Sequence, residues 1–557
     1  MRELLQALNA NQTRVRRPRD RRWLFVPYDQ LTDEWGPLAR EPADELGIVV
    51  VESRWKAARR PYHQQKLALV LANLRHFSLE QAQRGVAVRH VTTDGLYRDA
   101  LGPLIAELGP LRVADPAERE LREDLAPLVR RGGLEIVPHE GWLTTCQQFD
   151  AGAGNEPPWR MDRFYRSVRR DTDVLMDGAK PTGGKWSFDA DNRRPWRGEP
   201  AATVPPRFRP DAITKEVGEL VTKRFAHHPG QLDLTQLPAT RRDAARLWRF
   251  ARDQCLPRFG PFEDAMSVAT TTLFHTRLSS VLNLQRLSAQ QVLRDVQGLD
   301  IGLPSKEGFI RQLLGWREFV RHVHRATDGL RVGLHGPIGV ARKPGDGGWG
   351  RWSGRRWDRR ARRREPDGGA APDALGADRP LPPAYWGAPS GLFCLDHVIE
   401  TVWAEGYSHH ITRLMVLANV AQLLDVSPRQ LTDWFWSAYT DAYDWVVEPN
   451  VLGMGSFATG ELMTTKPYVS GAGYIHRMSD YCRHCAFDPK SSCPLTRLYW
   501  AYLARHEAEL RHNRRMTMPL ASLRKRSAAQ RRTDRELFER TSARLTAREV
   551  LVPGWGA

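Results

Sequence analysis

GIVVVESRWKAARRPYHQQKLALVLANLRHFSLEQAQRGVAVRHV, residues 47–91, decides the fold of the first part of the chain. Gly47–Val51 and Val86–Val91 are short apolar runs rich in β-branched residues, which read as buried strands. Between them, Gln65–Gln83 places Leu67, Val70, Leu71, Leu74 and Phe77 on one helical stripe. Working outward, Trp23–Val26, Arg112–Ala114 and Leu134–Val137 repeat the strand signal, with helical patterns between. Strands alternating with helices over this length predict a mostly parallel, Rossmann-like α/β sheet covered on both faces. The first strand is not followed by G-x-G-x-x-G, so the usual dinucleotide fingerprint is missing. Ligands of such sheets bind at the C-terminal strand ends, here near Asp29, Gln30 and Glu52.

The rest of the chain divides by composition. Residues 1–22 end in an arginine-rich run and read as an exposed basic arm, and 23–150 is the α/β domain. Residues 151–235, rich in Pro, Gly and charge, read as a long linker. Residues 236–540 are helical with few strand signals, interrupted at 341–380 by a flexible basic insertion, and 541–557 is a tail. No run approaches the roughly 18 apolar residues of a spanning helix, and no secretory signal is visible, so a cytoplasmic protein is expected. With 83 basic against 65 acidic residues, net +18, a polyanionic partner such as DNA is favoured, since each neutralised phosphate releases counterions.

Three of the six cysteines fall within twelve positions, as Cys482-x-x-Cys485 and Cys493-Pro494. Sparse, clustered thiols in a reducing compartment point to a soft metal or a cluster rather than disulfides. The spacing alone leaves open a structural zinc, with His484 as a further ligand, or an iron–sulfur cluster. His409 and His410 lie four and three residues, respectively, from Arg413 along the helical pattern Asp396–Leu424, where two imidazoles beside a guanidinium suit proton donation near an anion. Thr276–Ser280 and Phe309–Phe319 offer hydroxyls and arginines that can cradle a pyrophosphate. Asp441 and Asn450 can bond a heterocycle edge.

In order along the chain stand Arg60-Pro61-Tyr62-His63, Leu74-Arg75-His76-Phe77, Met161–Arg166, Gly183–Asp189, His409-His410-x-x-Arg413 and Pro449–Met454, around the cysteine cluster. With these the chain resembles the photolyase/cryptochrome superfamily over about residues 23–540, and within it the bacterial iron–sulfur branch of (6-4) photolyases and related cryptochromes.

The resemblance implies an α/β antenna domain and an all-α FAD-binding domain with a [4Fe–4S] cluster on Cys394, Cys482, Cys485 and Cys493. It implies flavin contacts from Thr276, Arg277, Leu278, Ser279 and Ser280, more loosely from Glu307, Arg311 and Arg317, and from Asp441 and Asn450 at the isoalloxazine ring. His410, then His409, are the implied proton donors to the lesion, with Arg413, Tyr468 and Tyr474 in the same pocket. Trp386 and Trp434 match an electron-transfer chain. Phe435 stands where the family commonly has a tyrosine, which leaves the terminal step to another aromatic such as Trp436 or Tyr439. Val447 replaces a glutamate of some relatives. The implied antenna is 6,7-dimethyl-8-ribityllumazine near Asp29, Gln30 and Glu52, although Pro27-Tyr28 replaces the usual glycine-containing start of that loop. The implied activity is a DNA lyase reaction, light-driven (6-4) photoproduct repair in UV-damaged DNA by a monomer. A blue-light-sensing cryptochrome with the same cofactors is the alternative, and a zinc-stabilised DNA-binding protein a third.

Overall fold

The computed structural model describes residues 1–11, 20–357 and 365–554. Strands β1 (Arg22–Phe25), β2 (Leu46–Ser53), β3 (Ala87–Thr93), β4 (Leu111–Ala114) and β5 (Leu134–Val137) form one parallel sheet. Their order is β3-β2-β1-β4-β5, and the longest ladder pairs Gly47–Ser53 of β2 with Ala87–Thr93 of β3. The run 46–53 is buried at every position, as expected for a parallel strand covered on both faces. Chain direction across the sheet reverses between β1 and β4, so the crevice available to a ligand opens at their C-terminal ends.

The remainder is largely helical, and one apolar core runs continuously through both parts. No helix among the described residues is long and apolar enough to cross a membrane.

Four boundaries differ from the sequence reading. Residues Arg2–Asn11, assigned to an exposed arm, form a helix whose Leu4 and Leu8 are buried. Arg2 N–H and the Met1 amine both engage Glu216. The arginines at 14–19 lie outside the described residues. The linker 151–235 contains helices Met161–Thr172 and Ala212–Arg224, the first strongly amphipathic with Phe164, Tyr165 and Val168 buried. The insertion 341–380 is not merely a flexible loop: Val340–Ala341 pairs with Gly369–Ala370, and Ala370 is fully buried. Arg359 and Arg360 fall outside the described residues. The last helix runs to Thr546, and Leu551 docks by donating its N–H to Ser390 O at 2.9 Å, so 541–557 is only partly a tail.

Candidate active site

A cavity of about 1110 Å³ opens in the helical part. Three of its walls are π-helical turns: Arg311–Arg317, Thr412–Ala418 and Glu448–Gly455. A π turn carries more residues per turn than an α-helix and re-aims side chains, here Arg311, Arg413 and Asn450, into the space. A fourth wall comes from the linker, through Arg160–Arg166 and Trp186–Arg193.

Asp396–Leu424 is not one helix. It breaks at Gly406, whose φ of 62° suits glycine, and residues 407–409 are extended before helix restarts at His410. The break turns His409 and His410 into the cavity beside a third histidine, His275, which the sequence reading missed. His275 and His409 stack with centroids 4.3 Å apart and planes 5° apart, and His410 meets His275 edge-on at 5.3 Å. The ligand atoms of the three lie within 4.8 Å of one another. Parallel rings, however, have parallel in-plane lone pairs, so one ion cannot lie in both planes. Burial, together with His410 and Arg413, pushes His409 down to about 3, and burial drives His275 well below its usual value. His410 is also lowered by burial, but Glu263 and Asp264 oppose the shift, so His410 is the ring best placed to carry a proton.

Arg413 donates to Asp441 through both terminal nitrogens at 3.0 Å, and Ser279 Oγ donates to the same carboxylate at 2.6 Å. Arg277, in left-handed backbone with φ 56°, pairs with Glu405 at 2.7 Å. Thr276, Arg277, Leu278, Ser279, Arg311, Asp441, Asn450, Tyr468 and Tyr474 all line the cavity. Tyr474 donates to Asp264 at 3.0 Å. Three expected residues do not line it. Ser280 is buried in the core, and Glu307 accepts from Phe188 N–H at 2.9 Å and props Arg311. Arg317 lies against the Trp142 and Trp445 rings, 4.3 and 5.6 Å away. Val447 faces the cavity, while Glu448 turns away to Arg429 and His324.

Phe435 lines the cavity and contacts Trp434 at 5.0 Å. Trp434 does not reach Trp386 directly. Trp403, absent from the sequence reading, lies between them, 6.0 Å from Trp434 and stacked on Trp386 at 5.0 Å. Trp349 then packs on Trp386 at 5.0 Å. Of the two aromatics offered as substitutes for a tyrosine at 435, Tyr439 stacks on Phe435 at 5.4 Å, but Trp436 points away, beneath Arg60 at 3.7 Å.

Cys394 starts the helix Phe393–Glu405, Cys482 and Cys485 sit in a short turn, and Cys493 caps the helix Pro494–Arg505. The four influence one another electrostatically: burial first, then the neighbouring thiols, raise Cys394, and Cys493 is pushed up to about 12. His484 stacks on Phe393 at 5.4 Å. Cys255 is a buried thiol near Thr203, and Cys146 is exposed.

At the sheet, Glu52 is spent on Arg75 at 2.7 Å and His90 at 3.1 Å, and Gln30 donates to Ala114 O at 2.9 Å. Asp29 is buried with Oδ1 unpartnered, and burial raises it to about 7.

Comparison with known proteins agrees with this geometry. The family described as "Deoxyribodipyrimidine photo-lyase-related protein" matches residues 24–237. A (6-4) photolyase of Agrobacterium fabrum is 32% identical over 517 residues, covering 89% of this chain and 94% of that protein. Two solved structures share the fold at a TM-score of 0.51. One is a bacterial class III photolyase from Agrobacterium tumefaciens, 14% identical over 96% of this chain and 99% of its own. The other is an archaeal photolyase from Sulfolobus tokodaii with two FAD molecules, 13% identical over 96% of each chain. With the parallel sheet, the helical cavity and a full-length relative above 30% identity in agreement, the chain belongs to the photolyase family.

Proposed function

We propose that the protein repairs (6-4) photoproducts in UV-damaged DNA, using FAD held in the large cavity. The observation that carries this reading is His410 beside Glu263 and Asp264, in a cavity whose lining includes the exposed cations Arg166, Arg193 and Arg515. The cavity fits the cofactor: it has the volume of a dinucleotide site, and buried polar atoms such as His275 Nε2 and His409 Nδ1 have no hydrogen-bond partner within the protein. Thr276, Arg277, Ser279 and Arg311 would hold the phosphates, and Asp441, Asn450 and Arg413 the ring system. The chemistry FAD supplies at such a site is light-driven one-electron donation to the damaged bases.

The chain's own residues do the rest. Arg160, Arg166, Arg193, Lys466 and Arg515 at the mouth bind backbone phosphates without reading sequence. A damaged step is cheap to unstack, which favours flipping the lesion into the cavity. Only one of the three clustered imidazoles can be charged at once, and the carboxylates of Glu263 and Asp264 keep that proton on His410, from which it passes to the lesion. Tyr474 and Asp264 hold the wall next to it. The contacting rings Trp434, Trp403, Trp386 and Trp349 lead from the cavity wall toward the surface, a path by which an external thiol refills the electron supply. The four cysteines, which the fold brings into one electrostatic neighbourhood, are read as ligands of a [4Fe–4S] cluster. A ribityllumazine antenna is not included: of its expected ligands, Glu52 is engaged by Arg75 and His90 and Gln30 by Ala114 O, which leaves only Asp29 unpartnered.

The test is illumination of the reduced protein with a duplex containing one (6-4) lesion, beside a cyclobutane-dimer duplex. Light-dependent loss of the first lesion alone supports repair. No loss of either, with flavin bound, moves the assignment to blue-light sensing, for which the outer Trp349 of the 341–380 insertion offers an exit for the light signal.

A further inference from the structure

The crevice at the switch point between β1 and β4, where doubly wound sheets take a ligand, is filled by this chain's own residues, while a cavity of about 420 Å³ lined by Glu52, Ser53, Arg75 and Thr92 opens at the ends of β2 and β3. Gln30 spans the switch point itself, reaching from the end of β1 to Ala114 O at the end of β4. Tyr28 is buried, its hydroxyl donates to Glu118, and its ring stacks on Tyr443 of the helical part, 6.1 Å away at 11°. Lys56 Nζ sits 2.9 Å from both Glu118 and Glu120. Glu120 also takes Arg59 and Arg60, each at 3.0 Å. From the helical side Lys66 donates to Trp436 O at 3.3 Å and to Ala442 O, and its Nζ lies 5.3 Å from the Tyr443 ring centre.

The outside is closed as well. Residues 365–368, within the insertion, lie across this network: Trp55 donates to Glu365 at 2.8 Å, Arg59 to Pro366 O and Asp367 O, and Arg60 to Gly368 O. The space left between Tyr28, Lys56, Lys66, Tyr62 and Tyr443 is about 70 Å³. An engineered apolar cavity of about 150 Å³ holds one benzene ring, and a ribityllumazine, with two fused rings and a five-carbon chain, is larger. The flavin cavity of the same structure stands open at about 1110 Å³.

We infer that this photolyase carries no antenna chromophore at this switch point, the slot being taken by a polar cluster of Tyr28, Lys56, Glu118 and Glu120, stacked on Tyr443 of the helical part and sealed by residues 365–368. Light would then be gathered by the flavin alone. The inference concerns the crevice and survives if the repair reading fails, because its readout is chromophore binding and not activity.

The experiment expresses the full chain in cells that make 6,7-dimethyl-8-ribityllumazine, and dialyses the purified holoprotein against that lumazine and, separately, against FAD. Chromophores released by heat are then separated and quantified by fluorescence. The expected result is about one FAD and no lumazine per chain, with no second FAD taken up. Near one lumazine, or two FAD, per chain would overturn the inference. A paired variant, Tyr28→Gly with Lys56→Ala, removes the plug without touching the flavin cavity and is expected to gain lumazine binding if it retains one FAD. Should that variant unfold, equilibrium dialysis of the wild-type protein decides by itself.

Discussion

Replacing Asp441 by asparagine keeps the shape of the side chain and removes its charge, which isolates one interaction at the cavity wall. Asp441 receives both terminal nitrogens of Arg413 at 3.0 Å and the Ser279 hydroxyl at 2.6 Å, while Arg413 Nε is held by Ser408 O at 2.8 Å. The guanidinium also lies 4.0 Å from the Tyr439 ring centre, so it cannot swing out to water without losing several contacts. Removing one partner of a buried ion pair costs about 3–5 kcal/mol, because the other charge is left uncompensated. Here the Arg413 side chain is 23% exposed and Asp441 5%, so cavity water softens the loss and the lower end, about 3 kcal/mol, is expected. The double variant Arg413→Met, Asp441→Leu removes both charges and fills similar volume, which is often close to neutral. Urea denaturation should therefore rank wild type and the double variant together, with Asp441→Asn well below both. Flavin binding should weaken in both variants. Equal stability of Asp441→Asn and wild type, or a double variant worse than the single one, would refute the argument.

Other outcomes follow from single groups. Glu52 is held at about 2 because His90 and Arg75 overcome the penalty of its burial, against an ordinary 4.5. Its stabilisation, about 3 kcal/mol, is complete above pH 4.5 and is lost as pH falls toward 2. Glu52→Gln should thus be less stable than wild type at pH 7 and converge with it near pH 2. His410 must be protonated to donate, and burial lowers its pKa below 6.5. Repair should therefore decline as pH rises through that lowered value, and His410→Ala should lose about 10²–10⁴-fold in rate with flavin content unchanged. Arg515→Ala and Lys466→Ala should each reduce the slope of log affinity against log salt for duplex DNA by about 0.9, uniformly across sequences. Trp403→Phe should slow thiol-supported photoreduction while leaving flavin stoichiometry intact, and an unchanged rate would remove Trp403 from the path.

Much of this was legible in the sequence because it is local. The five strand runs are short, apolar and β-branched, and buried parallel strands have few other solutions, so they fell within a residue or two of their final bounds. The motif residues Thr276–Ser279, His409, His410, Arg413, Asp441 and Asn450 were found for a similar reason: spacing along the chain survives folding. Helix Arg2–Asn11 was hidden by the arginines that follow it, and its docking depends on a surface made more than fifty residues later by Gln64–Gln83.

The sequence by itself determined the α/β-then-helical order, and with the family resemblance most of the residues that reach the cavity. Tertiary structure alone decided which way they point. Periodicity could not reveal the break at Gly406, because the side chains on either side keep a helical pattern while the backbone between them does not. It could not pair His275 with His409 across 134 positions, nor place Trp403 between Trp386 and Trp434. Above all it could not close the antenna crevice, since Tyr28, Lys56, Glu118, Tyr443 and residues 365–368 meet only when two domains and an insertion converge. Packing and charge pairing are summed over neighbours in space, and those neighbours are set by the fold.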